Sequence, residues 1–319
     1  MKAPAFWQTK GLLPALLAPA ALCFAAGGRL RRRVVTPRRV AAPVICVGNL
    51  VAGGAGKTPV AIAIAERLIA HGKAVHFLSR GYGGRAKGPL RVDPVRHAAA
   101  DVGDEPLLLA RVAPAWVARD RAAGAAAAVA AGAAVIVMDD GFQNPGLEKD
   151  LSLLVADGGY GFGNGRVMPA GPLREPLAAG FARADAVALI GTDQRGVAEM
   201  LPPTLPLLRA VLAPVAAALA GRRVLAFAGI ARPEKFFATL QAMGCVLAGQ
   251  RAFADHHAYG EAEVATLIED ARHADAVPVT TEKDAVRLPL ALRAGIETLP
   301  VAIRWREEAA VDRFLARFY

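Results

Sequence analysis

Short runs of consecutive apolar residues recur along the chain and alternate with stretches of helical spacing. The runs rich in Val, Ile and Leu are Pro43–Val47, Ala74–Leu78, Ala133–Met138, Leu151–Ala156 and Asp185–Ile190. Residues 58–71 carry apolar side chains at the three- and four-residue spacing of an amphipathic helix, and the alanine-rich stretch before Gly132 predicts another. Apolar strands that alternate with helices predict an α/β fold around a parallel sheet covered on both faces.

A second set of strand and helix patterns follows Gly221. Its predicted strands are Val224–Ala228, Cys245–Ala248, Ala276–Thr280 and Leu299–Ile303, with helices from Pro233 and near Glu261–Arg272. Four prolines between residues 202 and 214 predict a linker between the two sets. We therefore expect an N-terminal segment (residues 1–40), a large α/β domain (41–215) and a smaller α/β domain (216–319). The cleft between the two domains is the expected ligand site.

The N-terminal segment is apolar first and basic afterwards. Eighteen uncharged residues lie between Lys10 and Arg29, and six arginines follow within Arg29–Arg39. A spanning helix needs about 20 apolar residues, so this run, interrupted by Pro14 and Pro19, is borderline. Clustered arginines are attracted to anionic lipid headgroups and resist translocation. We favour an anchor that either spans or lies on the membrane and faces the cytoplasm. A cleaved secretory signal and a buried hairpin are the alternatives.

The net charge of +10 is concentrated in the same part of the chain. Residues 1–65 contain nine basic residues, Lys2 among them, and no acidic one, which leaves +1 for the rest. The basic arm lacks the interleaved aromatic residues of a nucleic-acid-binding surface, so no nucleic-acid partner is expected. A hydrophobic fraction of 54% excludes a disordered chain. The three widely spaced cysteines (Cys23, Cys46 and Cys245) indicate a reducing compartment rather than a disulfide framework.

The first chemical motif follows the first predicted strand. The run from Gly48 to Thr58, GNLVAGGAGKT, joins that strand to a helix. In such a loop, backbone N–H groups and the helix N-terminus bind phosphate, Lys57 reaches the outer phosphates, and Thr58 ligates Mg²⁺. Val51 stands where the usual pattern has glycine, so the loop is a variant. The residues expected to bind nucleotide are Gly53, Gly54, Ala55, Gly56, Lys57 and Thr58.

A pair of carboxylates provides the second motif. The predicted strand Ala133–Met138 runs directly into Asp139 and Asp140. A nucleotide-binding enzyme of this kind needs an acidic residue at the carboxyl end of a neighbouring strand to hold Mg²⁺. Thr58, Asp139 and Asp140 are therefore the candidate metal ligands. An ordinary polar strand end is the structural alternative.

Together with these two motifs, several others resemble one family, tetraacyldisaccharide 4′-kinase, the lipid A 4′-kinase of Gram-negative bacteria. The resemblance runs from the N-terminal arm to about residue 305. Its motifs are GNLVAGGAGKTP, LSRGYGG, VGDEP (102–106), DDGFQ (139–143), PAGPLREP (169–176), FAGIARPEKFF (227–237), FADHHAY (253–259) and TTEKDAVRL (280–288). One departure is Asn144, where the family often has histidine. A role for that histidine is therefore not carried over.

The resemblance implies a P-loop NTPase-like parallel-sheet domain, a second smaller α/β domain and a membrane-associated N-terminal helix. It also implies ATP- and Mg²⁺-dependent phosphorylation of the 4′-hydroxyl of a tetraacyldisaccharide 1-phosphate, which forms lipid IVA. The reaction would take place at the cytoplasmic face of the bacterial inner membrane. The implied partners are the lipid A precursor and the membrane surface, and no obligate protein partner is expected.

Phosphoryl transfer to a hydroxyl needs charge neutralisation, alignment and a base. We expect Lys57, Asp104 and His256 to be the catalytic residues. Asp104 in VGDEP and the Asp255–His256 pair match positions that the family uses, and a carboxylate–imidazole dyad suits general-base work. Arg174 in LREP is the candidate substrate contact. For residues 282–284 a role in the site and a helix cap both remain open.

A GTPase switch and a zinc site both fit the sequence less well. A GTPase switch would normally carry an Asn-Lys-x-Asp guanine signature, and the nearest sequence here is Thr281-Glu282-Lys283-Asp284. Adjacent His256 and His257 are not expected to bind zinc, because no cysteine or third ligand lies at a recognisable spacing. His257 is expected to be a neighbour without a role.

Overall fold

A computed structural model describes residues 4–215 and 217–319 of the chain. Lys2 and the predicted domain boundary at residue 216 lie outside the described residues. The strands are β1 (Val44–Gly48), β2 (Val75–Ser79), β3 (Leu90–Arg91), β4 (Ala115–Val117), β5 (Val135–Asp139), β6 (Leu151–Asp157), β7 (Ala186–Ile190), β8 (Leu207–Pro214), β9 (Arg223–Ala228), β10 (Val246–Ala252), β11 (Val277–Thr281), β12 (Glu297–Leu299) and β13 (Val301–Trp305). The α-helices are α1 (Leu12–Leu16), α2 (Ala18–Val34), α3 (Lys57–Ala70), α4 (Ala99–Val102), α5 (Asp104–Leu109), α6 (Arg121–Ala130), α7 (Leu177–Phe181), α8 (Pro233–Ala242), α9 (Glu261–His273), α10 (Glu282–Ala285), α11 (Leu290–Arg293) and α12 (Glu308–Leu315).

The strands form a large sheet and a small sheet. The large sheet has nine strands in the order β13-β8-β7-β6-β1-β5-β2-β4-β3. Its seven inner strands are parallel, and β3 and β13 are antiparallel at the two edges. The small sheet has four parallel strands in the order β10-β9-β11-β12. The expected α/β architecture with a large, mainly parallel sheet is confirmed.

The central strands explain why the sequence predicts them well. Every residue of β1, β2, β5, β6 and β7 is buried. A strand buried on both faces reads as an uninterrupted apolar run instead of an alternating one. Leu153, Ile136 and Phe77 belong to the core that these strands share with the buried face of α3. The small sheet has its own clusters around Phe227 and Phe237.

Two predictions near the end of the large sheet are wrong. The stretch expected to be a linker contains strand β8, which pairs with β7 on one side and β13 on the other. Prolines 202, 203 and 206 precede this strand and Pro214 is its last residue, so none occupies its interior. The single strand expected at Leu299–Ile303 is two strands separated by Pro300. The first belongs to the small sheet and the second to the large one.

The N-terminal segment begins with a short 3₁₀ helix, continues as α1 and α2, and packs on the body through a narrow stripe. Trp7 donates its indole N–H to Pro169 O at 3.1 Å, and Asn164 donates to Phe6 O at 3.2 Å. Along α2 the apolar side chains Leu22, Phe24, Leu30 and Val34 are exposed. No helix within residues 4–215 and 217–319 combines the length and apolar character needed to cross a membrane.

Candidate active site

The phosphate loop lies at the carboxyl edge of the large sheet, between β1 and α3. Gly48 ends β1 so close to the segment that follows β5 that a Cβ at Gly48 would lie 2.5 Å from Phe142 Cβ. Gly56, directly before α3, has φ +83°, a left-handed conformation that side chains disfavour. These two positions therefore need glycine: the first so that the loop can leave β1, and the second so that α3 can begin at Lys57.

The first half of the loop is held by the PAGPLREP segment. Ala52 N donates to Pro172 O at 2.8 Å, and Arg174 N donates to Leu50 O at 2.7 Å. Val51 forms an isolated antiparallel bridge with Leu173. The backbone at Val51 is thus extended and paired, which explains how a β-branched residue occupies the position where glycine is usual.

Two residues of α3 face the two carboxylates at the end of β5. Thr58 Oγ1 donates to Asp139 Oδ2 at 2.9 Å, and Lys57 Nζ lies 3.7 Å from Asp140 Oδ1. Parallel pairing of β1 with β5 sets Asp139 beside Val47, so the carboxylates reach the start of the loop. Arg174 donates to both oxygens of Asp140, at 2.9 and 3.3 Å. The structure therefore brings together the predicted loop, metal and substrate residues.

The two carboxylates have different environments. Burial and, next, the negative charge of Glu105 raise the pKa of Asp139 to about 7. Burial would also raise the pKa of Asp140, but the positive charges of Lys57 and Arg174 outweigh it and lower that pKa below its usual value. Lys57 lowers the pKa of Asp139 as well, but not enough to offset burial, so Asp139 has less compensating positive charge than Asp140.

The residues around Asp139 fit a magnesium ion. Within the described ranges, Asp139 Oδ1 is buried and has no hydrogen-bond partner, while its other oxygen meets the Thr58 hydroxyl. The same part of the chain contains no cluster of three or more His, Cys, Asp or Glu side chains arranged to hold a metal. Mg²⁺ beside a nucleotide commonly uses one or two carboxylates and fills its remaining positions with water and phosphate oxygens. A hydroxyl and a buried carboxylate oxygen are such a donor set.

Asp104 and His256, which are distant in sequence, are in contact. Asp104 is the first residue of α5, His256 follows the small-sheet strand β10, and Nδ1 of the histidine lies 3.0 Å from Asp104 Oδ2. The ring of Tyr82 meets the imidazole edge to face, with 5.7 Å between ring centroids. Asp255 lies farther away, with its Oδ1 3.9 Å from His256 Nε2.

Basic residues of the small-sheet region keep Asp104 ionised. Its side chain is 3% exposed, and Lys283 Nζ lies 3.9 Å from Oδ2. Burial would raise the pKa of Asp104, but the hydrogen bond with His256 and the charge of Lys283 outweigh burial and lower the pKa. Lys283 also donates to Glu105 at 3.2 Å. Among residues 282–284, for which a role in the site and a role as a helix cap were both open, Lys283 therefore faces the site.

A second contact joins the large sheet to the small-sheet region, and its residues were given no role from the sequence. Asp157 ends β6, next to β1, and accepts hydrogen bonds from Arg232 at 2.9 and 2.6 Å and from Lys235 at 2.7 Å. Arg232 also donates to Gly54 O in the phosphate loop at 3.2 Å. The signal was present in FAGIARPEKFF, where two basic residues flank the start of a predicted helix.

Glu175 is another buried residue that the sequence did not single out. It accepts from Gln143 Nε2 at 3.2 Å and from Arg183 at 2.5 Å, and Arg32 of α2 lies 3.4 Å away. Gln143 also donates to Asn49 O of the phosphate loop at 2.9 Å. A polar relay thus connects the N-terminal helix to the loop.

Asn144 and His257 both have partners nearby in the sequence. Asn144 Oδ1 accepts from Gly146 N at 2.9 Å, which closes a tight turn after DDGFQ. His257 pairs with Glu263 through Nε2 at 2.7 Å, whereas His256 pairs with Asp104. The adjacent histidines therefore point to different partners.

A loop between a buried strand and a helix, with Lys-Thr at the helix start and two carboxylates on the neighbouring strand, defines a nucleotide-binding protein of the P-loop phosphotransferase class. The family model described as tetraacyldisaccharide-1-P 4′-kinase matches residues 13–319. The chain belongs to this family, which confirms the resemblance seen in its motifs.

Individual relatives agree along almost the whole length of the chain. The tetraacyldisaccharide 4′-kinase of Rhodospirillum centenum is 60% identical over 324 residues, which cover 99% of this chain and 96% of that protein. The enzyme of the same name from Gluconacetobacter diazotrophicus is 58% identical and covers 99% of this chain and 97% of its own. The crystal structure of LpxK from Aquifex aeolicus in complex with ATP has a TM-score of 0.78 at 26% identity, and the match covers 97% of this chain and 100% of that one.

Proposed function

We propose that the protein transfers the γ-phosphoryl group of ATP to the 4′-hydroxyl of a tetraacyldisaccharide 1-phosphate, a lipid A precursor, and so forms lipid IVA. The family supports the acceptor and the reaction. The observation that carries the proposal is the pairing of Lys57 and Thr58 with the two carboxylates that end β5. ATP as the donor is supported by that loop and by the ATP-bound relative.

The phosphate loop would bind the nucleotide through residues 53–58. Lys57 is buried at the start of α3, where its charge and the helix N-terminus both favour the anionic phosphates. Thr58, Asp139 and Asp140 would hold Mg²⁺, which when bound neutralises phosphate charge and orients the phosphate oxygens. In the structure Lys57 pairs with Asp140. When a nucleotide binds, the lysine ammonium would be shared between this carboxylate and the phosphates.

Asp104 and His256 would provide the general base. The hydroxyl oxygen attacks the γ-phosphorus as the bond to the ADP oxygen breaks, and the hydroxyl proton passes to the dyad. Asp104 is ionised and hydrogen-bonded to the imidazole, so the pair can accept one proton and share it. Arg174, held by Asp140 at the mouth of the loop, would contact anionic groups of the substrates.

The two sheets would act as two domains around one substrate cleft. The large sheet supplies the phosphate loop, Asp139, Asp140 and Asp104, and the small-sheet region supplies His256. The contacts of Asp104 with His256 and of Asp157 with Arg232 support a site assembled between them. A dyad divided in this way is complete only when the two sheets are docked.

The N-terminal helices would lie on the cytoplasmic face of the inner membrane. In α2 the exposed apolar side chains share the helix with Arg29, Arg31 and Arg33, which are exposed as well. Apolar side chains that enter the acyl region and arginines that meet anionic headgroups are the features of an interfacial helix. Such a helix would bring the site to a substrate that stays in the membrane.

The test is transfer of ³²P from [γ-³²P]ATP to a purified tetraacyldisaccharide 1-phosphate in mixed micelles. We expect a labelled lipid carrying two phosphates, formed only when Mg²⁺ is present. Label that appears as free phosphate at the same rate with and without the lipid would contradict the proposal, because it would indicate an ATPase that does not use the acceptor.

A further inference from the structure

Arg287 is a buried arginine of the small-sheet region that has no part in the mechanism proposed above. Its side chain is 6% exposed. Nη1 and Nη2 each donate to Gly229 O at 3.1 Å, and Nη1 also donates to His257 O at 3.1 Å. The guanidinium thus joins two backbone segments that are far apart in sequence, the end of β9 and the FADHHAY loop.

Asp284 holds the other side of the same junction. The residue is fully buried, and its Oδ1 accepts from Gly229 N and from Tyr259 Oη, each at 2.8 Å. Arg287 Nη2 lies 3.1 Å from that oxygen. The N–H of Gly229 is therefore bound by the aspartate and its carbonyl by the arginine, which fixes the backbone on both sides of this residue.

The fixed backbone at Gly229 in turn holds the backbone of His256. The backbone N–H of His256 donates to Gly229 O at 3.0 Å, and His256 has φ +58°, in the left-handed region. A side-chain-bearing residue keeps this conformation only where the surrounding structure determines it. The space around Gly229 is also tight, since a Cβ there would lie 3.0 Å from Ala254 O and from Tyr259 Oη.

The same guanidinium reaches the acidic half of the dyad. Arg287 Nε lies 3.5 Å from Asp104 Oδ2, the oxygen that meets His256. Arg287 Nε also donates to Lys283 O at 3.1 Å. The buried Arg287 side chain therefore contacts the backbone of the segment that carries His256. It also lies beside the Asp104 carboxylate that pairs with His256.

We propose that the buried Asp284–Arg287 pair is the positioning unit of the acid–base dyad: it fixes the loop that presents His256 and sets the distance between the imidazole and Asp104. The inference rests on the proposed function, in which Asp104 and His256 act as the base. Asp284 and Arg287 are positioning residues and do not touch the reacting atoms.

The variants Arg287→Lys and Asp284→Asn test this inference. Lysine keeps the positive charge but not the planar fork that reaches two carbonyls at once. Because small misplacements of catalytic groups are costly, we expect kcat to fall by about 10- to 100-fold, while KM for ATP stays unchanged within twofold. Arg293→Lys is the matched control: that arginine also donates to backbone carbonyls, of Val286 and Leu288, and does not contact the dyad.

Two readouts separate positioning from a general loss of stability. In the double variant with His256→Ala, the Arg287→Lys change should cost nothing more, because residues that act as one unit are not additive. In ¹⁵N spectra of the imidazole, Arg287→Lys should move the His256 Nδ1 signal and leave that of the exposed His273 in place. If Arg287→Lys does not fold, Tyr259→Phe, which removes one hydrogen bond to Asp284, should give a smaller loss of kcat with the same non-additivity.

The inference is overturned if the folded variants keep kcat within twofold of wild type, or if their losses add fully to that of His256→Ala. Either result leaves the proposed function standing as long as His256→Ala alone is defective. A fully active His256→Ala would instead remove the base from the proposed function itself.

Discussion

Lys57 is placed both to bind phosphate and to balance the negative charge of Asp140. The lysine side chain is 9% exposed, and its ammonium has a carboxylate 3.7 Å away. Asp140 is held independently by Arg174, which donates to both of its oxygens. The carboxylate therefore keeps a partner when the lysine is removed, so the effects on folding and on activity can be separated.

We expect Lys57→Ala to lower kcat by at least about 100-fold and to leave the melting temperature within a few degrees of wild type. Removing one preorganised charge contact to the transferring group costs about 3–4 kcal/mol. The control is Lys87→Ala, since Lys87 is exposed. Steady-state kinetics and thermal unfolding measure the two effects, and wild-type turnover by the Lys57 variant would remove this residue from the site.

The dyad makes the second prediction at the level of single residues. Asp104→Ala and His256→Ala should each lower kcat by about 10²–10⁴ and change KM for ATP far less, because a base acts on the acceptor hydroxyl. The double variant should be little worse than the poorer single variant. The control is His273→Ala, because His273 is exposed. Fully additive losses would indicate two independent roles in place of one shared base.

Strands that are completely buried were predicted most accurately from the sequence. Strands β1, β2, β5, β6 and β7 were predicted to within two residues of their observed ends, because uniform burial leaves an uninterrupted apolar signal. Helices α3 and α9 were predicted equally closely, and α8 begins at Pro233 as predicted. Strand β8 was missed because six of its eight residues are exposed or half-buried and prolines lie at both of its ends. The short strands β3 and β4 and the helices α4 and α5 have too few residues to show a period.

The candidate site was predictable in composition but not in its connections. The residues of the loop, Asp139, Asp140, Arg174, Asp104 and His256 all stood in recognisable motifs. The structure brings the loop, Asp139, Asp140 and Arg174 together and pairs Asp104 with His256. The partners of Asp157 and Glu175 depend on how separate segments pack, and spacing along the chain carries no information about that. Val51 is another such case, because its conformation follows from pairing with Leu173.

The contact of Arg232, at the start of α8, with the phosphate loop should stabilise that loop. We expect Arg232→Ala to speed amide hydrogen exchange in residues 48–58 by at least about threefold, since local opening follows the loss of stabilising contacts, and to raise KM for ATP. Arg232 links Gly54 O to Asp157, whose side chain is only 11% exposed. Arg251→Ala is the control, because that arginine pairs with Asp270 on an exposed surface. Unchanged exchange in the loop would mean that Lys235 alone holds α8 in place.

The N-terminal helices pack beside the site. Trp7 and Arg166 tie them to the segment that carries LREP, through hydrogen bonds to Pro169 O and Pro14 O. Arg32 reaches Glu175 and thereby the relay to the loop. The exposed apolar side chains of α2 take no part in these contacts, so they are available to another surface.

We expect the triple variant Leu22→Ser, Phe24→Ser, Leu30→Ser to bind vesicles of neutral phospholipid at least about tenfold more weakly in high salt. Burial of one such side chain contributes roughly 1.5–3 kcal/mol, and high salt suppresses the contribution of the arginines. ATP binding should be unchanged. Leu290→Ser removes an equally exposed leucine far along the chain and should have no effect. Undiminished sedimentation of the triple variant would mean that membrane binding uses another surface.

The path of the chain through the large sheet has a consequence for how the protein is divided. The chain leaves this sheet at Pro214, forms the small sheet, and returns at Val301, which pairs directly with Pro214. The whole small-sheet region is thus an insertion whose two ends meet across neighbouring antiparallel strands, where a tight turn would be enough to close the gap. An excised form, closed by such a turn, would keep the phosphate loop and both β5 carboxylates but lose His256. It would retain nucleotides without passing the phosphate on.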